Sequence, residues 1–144
     1  MIIPAESSLL DTNVWVFGLR RDEQFPACAG LLDCISSLLV VIPRQVLKEL
    51  NANLAPDEMR DFYQLVNRYP ERIELNWESA SVERVKFYEG RGCKKGDAVI
   101  AAHAEALKVK FVVTENRQFL QTIENLPFEI ITPSEVLARL TSRA

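Results

Sequence analysis

The chain has 144 residues, 48% of them hydrophobic and 26% charged, with a formal net charge of −3. That mixture suits one globular domain with a sizeable core and excludes a disordered chain. The acidic balance argues against a protein that coats DNA non-specifically, and leaves room for a nuclease whose acids cluster in one place.

Residues 7–10 read as a buried first strand, and residues 12–19 as a helix with Val14, Trp15, Phe17 and Gly18 along it. A polar break at 20–23 follows. Pro26 suits the first turn of a second helix, which runs through Ala29, Leu31, Leu32 and Ile35. Residues 38–42 form a continuous apolar, β-branched run, the pattern of a strand buried on both faces of a parallel sheet. Pro43 stops it and opens a helix whose inner face is Val46, Leu47 and Leu50. A turn is predicted at 51–56. A helix over 57–69 then carries Met59, Phe62, Tyr63, Leu65 and Val66 as its stripe.

A short strand is predicted at 73–75, and an amphipathic helix at 79–89 with Val82, Val85 and Phe87 as its apolar side. Residues 90–96 read as a flexible basic loop. Asp97 begins a helix that is apolar on nearly every side and so belongs at the centre of the domain. A strand at 111–114, a turn into a short helix at 115–120, a strand at 128–131 and a closing helix with Val136, Leu137 and Leu140 complete the chain. This alternation predicts an α/β fold: one domain over residues 1–144, with a mainly parallel central sheet of four to five strands flanked by helices. The three cysteines, with no C-x-x-C pair, predict free thiols in a reducing cytoplasm. Residues 1–6 have no basic leader pattern, and no apolar run approaches the ~20 residues of a membrane helix, so no membrane contact is expected.

Most acids have bland readings, but four places share a position. Asp11 ends the first strand, Glu49 lies on the helix after the second, Asp97 begins the central helix, and Glu115–Asn116 follow the fourth strand. In a parallel sheet all of these lie towards the carboxyl edge. Each also has a structural reading. Asp11 can cap a helix, Asp97 can sit at a helix N-terminus for its dipole, and Glu49 can be a solvated neighbour of Lys48. Carboxylates pressed together repel, and a divalent cation removes that cost. Acids without a His or Cys cluster favour Mg²⁺ or Mn²⁺ over zinc. Such an ion activates water and stabilises a leaving oxygen, which points to phosphodiester hydrolysis. Lys94, Lys95 and Arg117 could steer a phosphate backbone or form a solvated loop. Trp15 could stack on an unpaired base, but its helical spacing favours the core. His103 is the only histidine and reads as a hydrogen-bonded helix residue, neither base nor ligand.

Four stretches in this order resemble the motifs of PIN-domain ribonucleases, and among them the VapC-type toxins of toxin–antitoxin pairs. They are Leu9-Leu10-Asp11-Thr12-Asn13, Gln45-Val46-Leu47-Lys48-Glu49-Leu50, Gly96-Asp97-Ala98-Val99-Ile100-Ala101-Ala102, and Val113-Thr114-Glu115-Asn116-Arg117-Gln118-Phe119. The closing Ile131-Thr132-Pro133-Ser134-Glu135-Val136-Leu137 resembles the end of that group. The resemblance implies an endoribonuclease with Asp11, Glu49 and Asp97 as ligands of Mg²⁺ or Mn²⁺. Its fourth acid falls on Asn116, a departure for which Glu115 could compensate if the turn aims it inward. Thr12, Asn13, Lys95, Thr114 and Arg117 are the corresponding candidates for contact with substrate. The resemblance further implies an RNA substrate, a cognate antitoxin and a homodimer. Two other readings compete. One is a PIN-fold module that binds RNA or protein without catalysis, motivated by Asn116. The other is a phosphotransferase of the haloacid dehalogenase type, which would need an acid where Asn13 stands.

Overall fold

The computed structural model describes residues 6–116, 118–119 and 123–142. Its centre is a five-stranded sheet of β1 (Ser7–Leu10), β2 (Leu39–Pro43), β3 (Ile73–Asn76), β4 (Phe111–Val113) and β5 (Glu129–Ile131). The strands lie in the order β3-β2-β1-β4-β5. Every pairing is parallel, with Ser8 opposite both Val40 and Phe111, and Leu10 opposite Val113. The mainly parallel sheet expected from the apolar runs is therefore wholly parallel among the described residues. Leu9, Leu10, Ile42, Val112 and Val113 are completely buried, as strands covered on both faces must be.

Helices α1 (Thr12–Leu19) and α2 (Pro26–Asp33) join β1 to β2, and α3 (Arg44–Asn53) and α4 (Pro56–Arg68) join β2 to β3. Helices α5 (Val82–Gly90) and α6 (Lys95–Ala106) join β3 to β4, and α7 (Pro133–Thr141) follows β5. Helices α1, α2 and α7 pack in series, α5 packs on α6, and α3 touches both α1 and α6. Trp15 is fully buried and meets Phe62 of α4 edge-on at 5.2 Å, which confirms its core role. Gly18 lets α1 and α2 approach closely: a Cβ there would stand 2.6 Å from Leu32 Cδ1 and 3.0 Å from the Cys28 carbonyl. The chain returns through β1 to β2 and β3 on one side, and through β4 to β5 on the other. The order thus reverses between β1 and β4, where an open α/β sheet forms its ligand crevice.

Three readings need correction. Helix α3 runs through Asn53, into the stretch read as a turn, because Asn51 and Asn53 side chains donate back to the Leu47 and Glu49 carbonyls and hold the last turn. Helix α6 begins at Lys95, so Asp97 lies within its first turn rather than at its start. On α5 the inner face is not Val82 and Phe87. Val82 is 69% and Phe87 37% exposed, whereas Tyr88 is buried and donates to Glu105 Oε1 at 2.9 Å. The polar tip of Tyr88 and the Arg84–Glu105 pair at 2.7 Å turn the helix that way. The short helix expected near 115–120 falls partly outside the described residues.

Candidate active site

Leu10 ends β1, and Asp11 is the N-cap of α1. Its Oδ1 accepts the Thr12 N–H at 2.8 Å, while Oδ2 accepts the Thr114 hydroxyl at 2.9 Å and the Asn13 amide at 3.4 Å. The Asp11 N–H in turn donates to the Val113 carbonyl at 2.8 Å, which ties the end of β1 to the end of β4. Asp11 therefore caps a helix and faces the crevice between those strands at once.

Glu49 reaches the same place from α3. Its Oε1 accepts the Thr12 hydroxyl in a short hydrogen bond, and its Oε2 accepts Gln45 Nε2 at 2.9 Å. Asp97 comes from the first turn of α6, one residue after Gly96, whose added Cβ would lie 3.5 Å from Glu49 Oε2. The three acids feel one another. Burial pushes the Asp11 carboxyl up to about 6, against the Thr114 and Thr12 hydrogen bonds, and the Glu49 and Asp97 charges add to the rise. Burial also raises Asp97, with Glu49 adding and Lys94 opposing. Among the described residues, no three acids, histidines or cysteines stand as a ready-made metal cage. The donor set that converges here is all oxygen and mutually repelling, which suits a hard divalent cation.

The fourth side differs. Thr114 is fully buried, and its hydroxyl also accepts the Asn116 N–H at 3.1 Å and lies 3.3 Å from the Asn13 amide. Asn116 is exposed, and its Oδ1 accepts the Gln118 N–H at 3.1 Å, closing its own turn. Glu115 does not aim at the acids: its Oε2 accepts the Cys28 thiol at 3.3 Å, while Asn13 Oδ1 holds its N–H at 3.3 Å. Burial and Glu115 raise the Cys28 thiol, so it is inert as a nucleophile. The structure thus brings Asp11, Thr12, Asn13, Glu49 and Thr114 into one hydrogen-bonded group with Asp97 beside it. It sends the Glu115 carboxylate to Cys28 instead, Lys95 stands in the same first helical turn as Asp97 and lines a groove with Gln45, and Arg117 lies outside the described residues.

Compared with known families, the chain matches the PIN domain over residues 8–125. It belongs to the PIN domain family. PIN domains are nucleases, and the crevice between β1 and β4 is where this PIN domain gathers its acids. Among solved structures, FitAcB of Neisseria gonorrhoeae is 20% identical with a TM-score of 0.59, covering 88% of this chain and 98% of that one. VapBC2 of Rickettsia felis, bound to a DNA fragment from its promoter, is 19% identical with a TM-score of 0.58 over 88% of this chain and 98% of that chain. The PIN domain endonuclease Utp24 is 20% identical with a TM-score of 0.52, over 90% and 86% respectively. No curated protein matches the chain.

One participant, Gln45, was not legible in the sequence, and His103 behaves otherwise than expected. Gln45 holds Glu49 from one turn earlier; its i, i+4 spacing from Glu49 was the available signal. The His103 ring has no hydrogen-bond partner among the described residues, against expectation, although its carbonyl accepts the Leu107 N–H at 2.9 Å. It is buried beside Arg44, and burial and that charge hold its pKa below the usual value, so the ring is neutral.

Proposed function

We propose that this PIN domain is a metal-dependent endoribonuclease and the toxin of a toxin–antitoxin pair. The observation that carries the reading is Asp11: a half-buried carboxyl at the β1–β4 crevice, held by Thr12, Asn13 and Thr114 and raised to about 6, with Glu49 and Asp97 adding to that rise. A Mg²⁺ or Mn²⁺ ion would be held by Asp11, Glu49 and Asp97, and when bound it supplies charge neutralisation and an activated water. Thr12 orients Glu49, and Thr114 and Asn13 orient Asp11, so the acids keep their aim when the ion leaves. Asn13, half-buried at the crevice, is the member of this group open to an RNA phosphate, whereas the fully buried Thr114 acts through Asp11. The resemblance to VapC-type toxins supports an antitoxin partner and a homodimer. The exposed Trp77 and Phe87 supply apolar surface of the kind a protein contact covers.

The test is cleavage of RNA with Mg²⁺ or Mn²⁺ by the native protein, Asp11→Asn and Asp97→Asn. Losses of at least about a hundredfold are expected for both variants, the scale of removing a group aimed at transition-state charge. If both cut as well as the native protein, the reading fails. A second reading, a module that binds without cutting, draws on Asn116, which leaves the fourth side uncharged. Absence of Mn²⁺ binding with RNA or protein binding intact would favour it.

A further inference from the structure

The acids leave unexplained the cations beside them. Helices α3, α5 and α6 enclose a groove of about 460 Å³ lined by Arg44, Lys48, Lys86 and Lys95, with Val82 and Val99 among its apolar walls. It opens next to the acids: Gln45, which also lines it, donates to Glu49, and Lys95 stands two residues before Asp97 on the same helical turn.

These cations differ from the arginines held in ion pairs. Arg20 is paired with Glu58, Arg21 with Asp33, Arg84 with Glu105 and Arg139 with Glu129. Among the described residues, Lys48, Lys86 and Lys95 have no carboxylate within ion-pair distance, and Arg44 donates to the Ser79 hydroxyl at 2.9 Å. Glu89 is the one carboxylate on the lining. Four cations against one carboxylate leave the groove net positive in a chain of net charge −3, a local field that attracts an anionic partner. They are spread over three helices, so one small anion cannot reach all four. A chain of spaced phosphates can, and the valines offer an apolar flank to sugars and splayed bases.

We propose that this groove is the track for a single-stranded RNA, its phosphates on Arg44, Lys48, Lys86 and Lys95, leading the strand to the Asp11 crevice. The proposal rests on the nuclease reading for its destination, but the track is testable without cleavage.

The probe is a fluorescent single-stranded RNA of roughly a dozen nucleotides, bound in EDTA and followed by anisotropy as salt rises from about 50 to 200 mM. The native protein is compared with Lys48→Gln/Lys86→Gln. The control is Lys108→Gln/Lys110→Gln, which makes the same charge change at the amino edge of the sheet, where the Lys110 N–H donates to Ser7. All four lysines are exposed, and circular dichroism melts check folding. Each phosphate contact on a single strand adds about 0.7 to the log–log salt slope, so the groove variant should lose about 1.4. The affinity gap between native and groove variant then narrows about sevenfold over that range, and the control keeps the native slope. With Mg²⁺ or Mn²⁺, the groove variant should raise KM far more than it lowers kcat.

An unchanged slope in the groove variant, or an equal loss in the control, overturns the track. So does a groove variant that changes only the sedimentation coefficient, which would make this face a contact between copies. A native protein that binds with the predicted slopes but does not cut refutes the nuclease reading while upholding the track. A native protein that neither binds nor cuts refutes both.

Discussion

Replacing Asp11 with Asn should remove activity and yet stabilise the fold. In the native state the Asp11 carboxyl keeps its proton up to about pH 6, whereas the unfolded chain releases it near the ordinary 3.8. Between those values the native state binds more protons than the unfolded one, so stability falls as pH rises through the window and levels off above it. The gap is about 2 pH units, and at 1.36 kcal/mol per unit the ionised carboxylate costs about 3 kcal/mol near pH 7. Asparagine avoids that cost but cannot accept both the Thr12 and Thr114 bonds as well, a loss of about 1 kcal/mol. The expected net gain is about 2 kcal/mol near pH 7, shrinking to almost nothing by about pH 4.5, where the native carboxyl is itself protonated. For a chain of this size the gain is a rise of about 6 °C in Tm. Urea denaturation and thermal melts in EDTA at the two pH values measure it directly. An Asn variant less stable than the native protein at neutral pH, or a gap that does not change with pH, would refute the reasoning.

Three further outcomes follow from the geometry. Asn116→Asp should leave the Gln118 turn intact, because an Asp oxygen can accept the same N–H, while adding charge beside the acids; calorimetry should register tighter Mn²⁺ binding than in the native protein. Gly18→Ala places a methyl 2.9 Å from Leu32 Cγ and 3.0 Å from the Cys28 carbonyl, so urea denaturation should show a loss of about 1–3 kcal/mol. Tyr88→Phe removes the buried hydroxyl that donates to Glu105 at 2.9 Å; the same measurement should show a loss of about 1.5 kcal/mol, the scale of a hydrogen bond to a charged acceptor.

The parallel sheet was legible because both-face burial leaves runs such as Val40-Val41-Ile42 with no polar interruption, a pattern that survives in one dimension. So was the carboxyl-edge position of Asp11, Glu49 and Asp97, since strand ends fix it. The outward turn of Val82 and Phe87 was not, because an amphipathic stripe says which residues are apolar but not that Arg84 and Tyr88 will find Glu105 across a helix pair. Nor was the fate of Glu115, whose direction depends on a cysteine 87 positions away. The groove was equally hidden: Lys48, Lys86 and Lys95 look like ordinary surface lysines until three helices are laid side by side.

The reversal of strand order between β1 and β4 has a bearing on synthesis. Asp11 emerges early, but its neighbour strand and its Thr114 partner lie 103 positions later, and Asp97 arrives only shortly before them. A chain still lacking β4 has no crevice, and its acids stay apart and solvated. Domains fold as units once their sequence is out, so the group of Asp11, Glu49, Asp97 and Thr114 comes together only after most of the chain's length has been made.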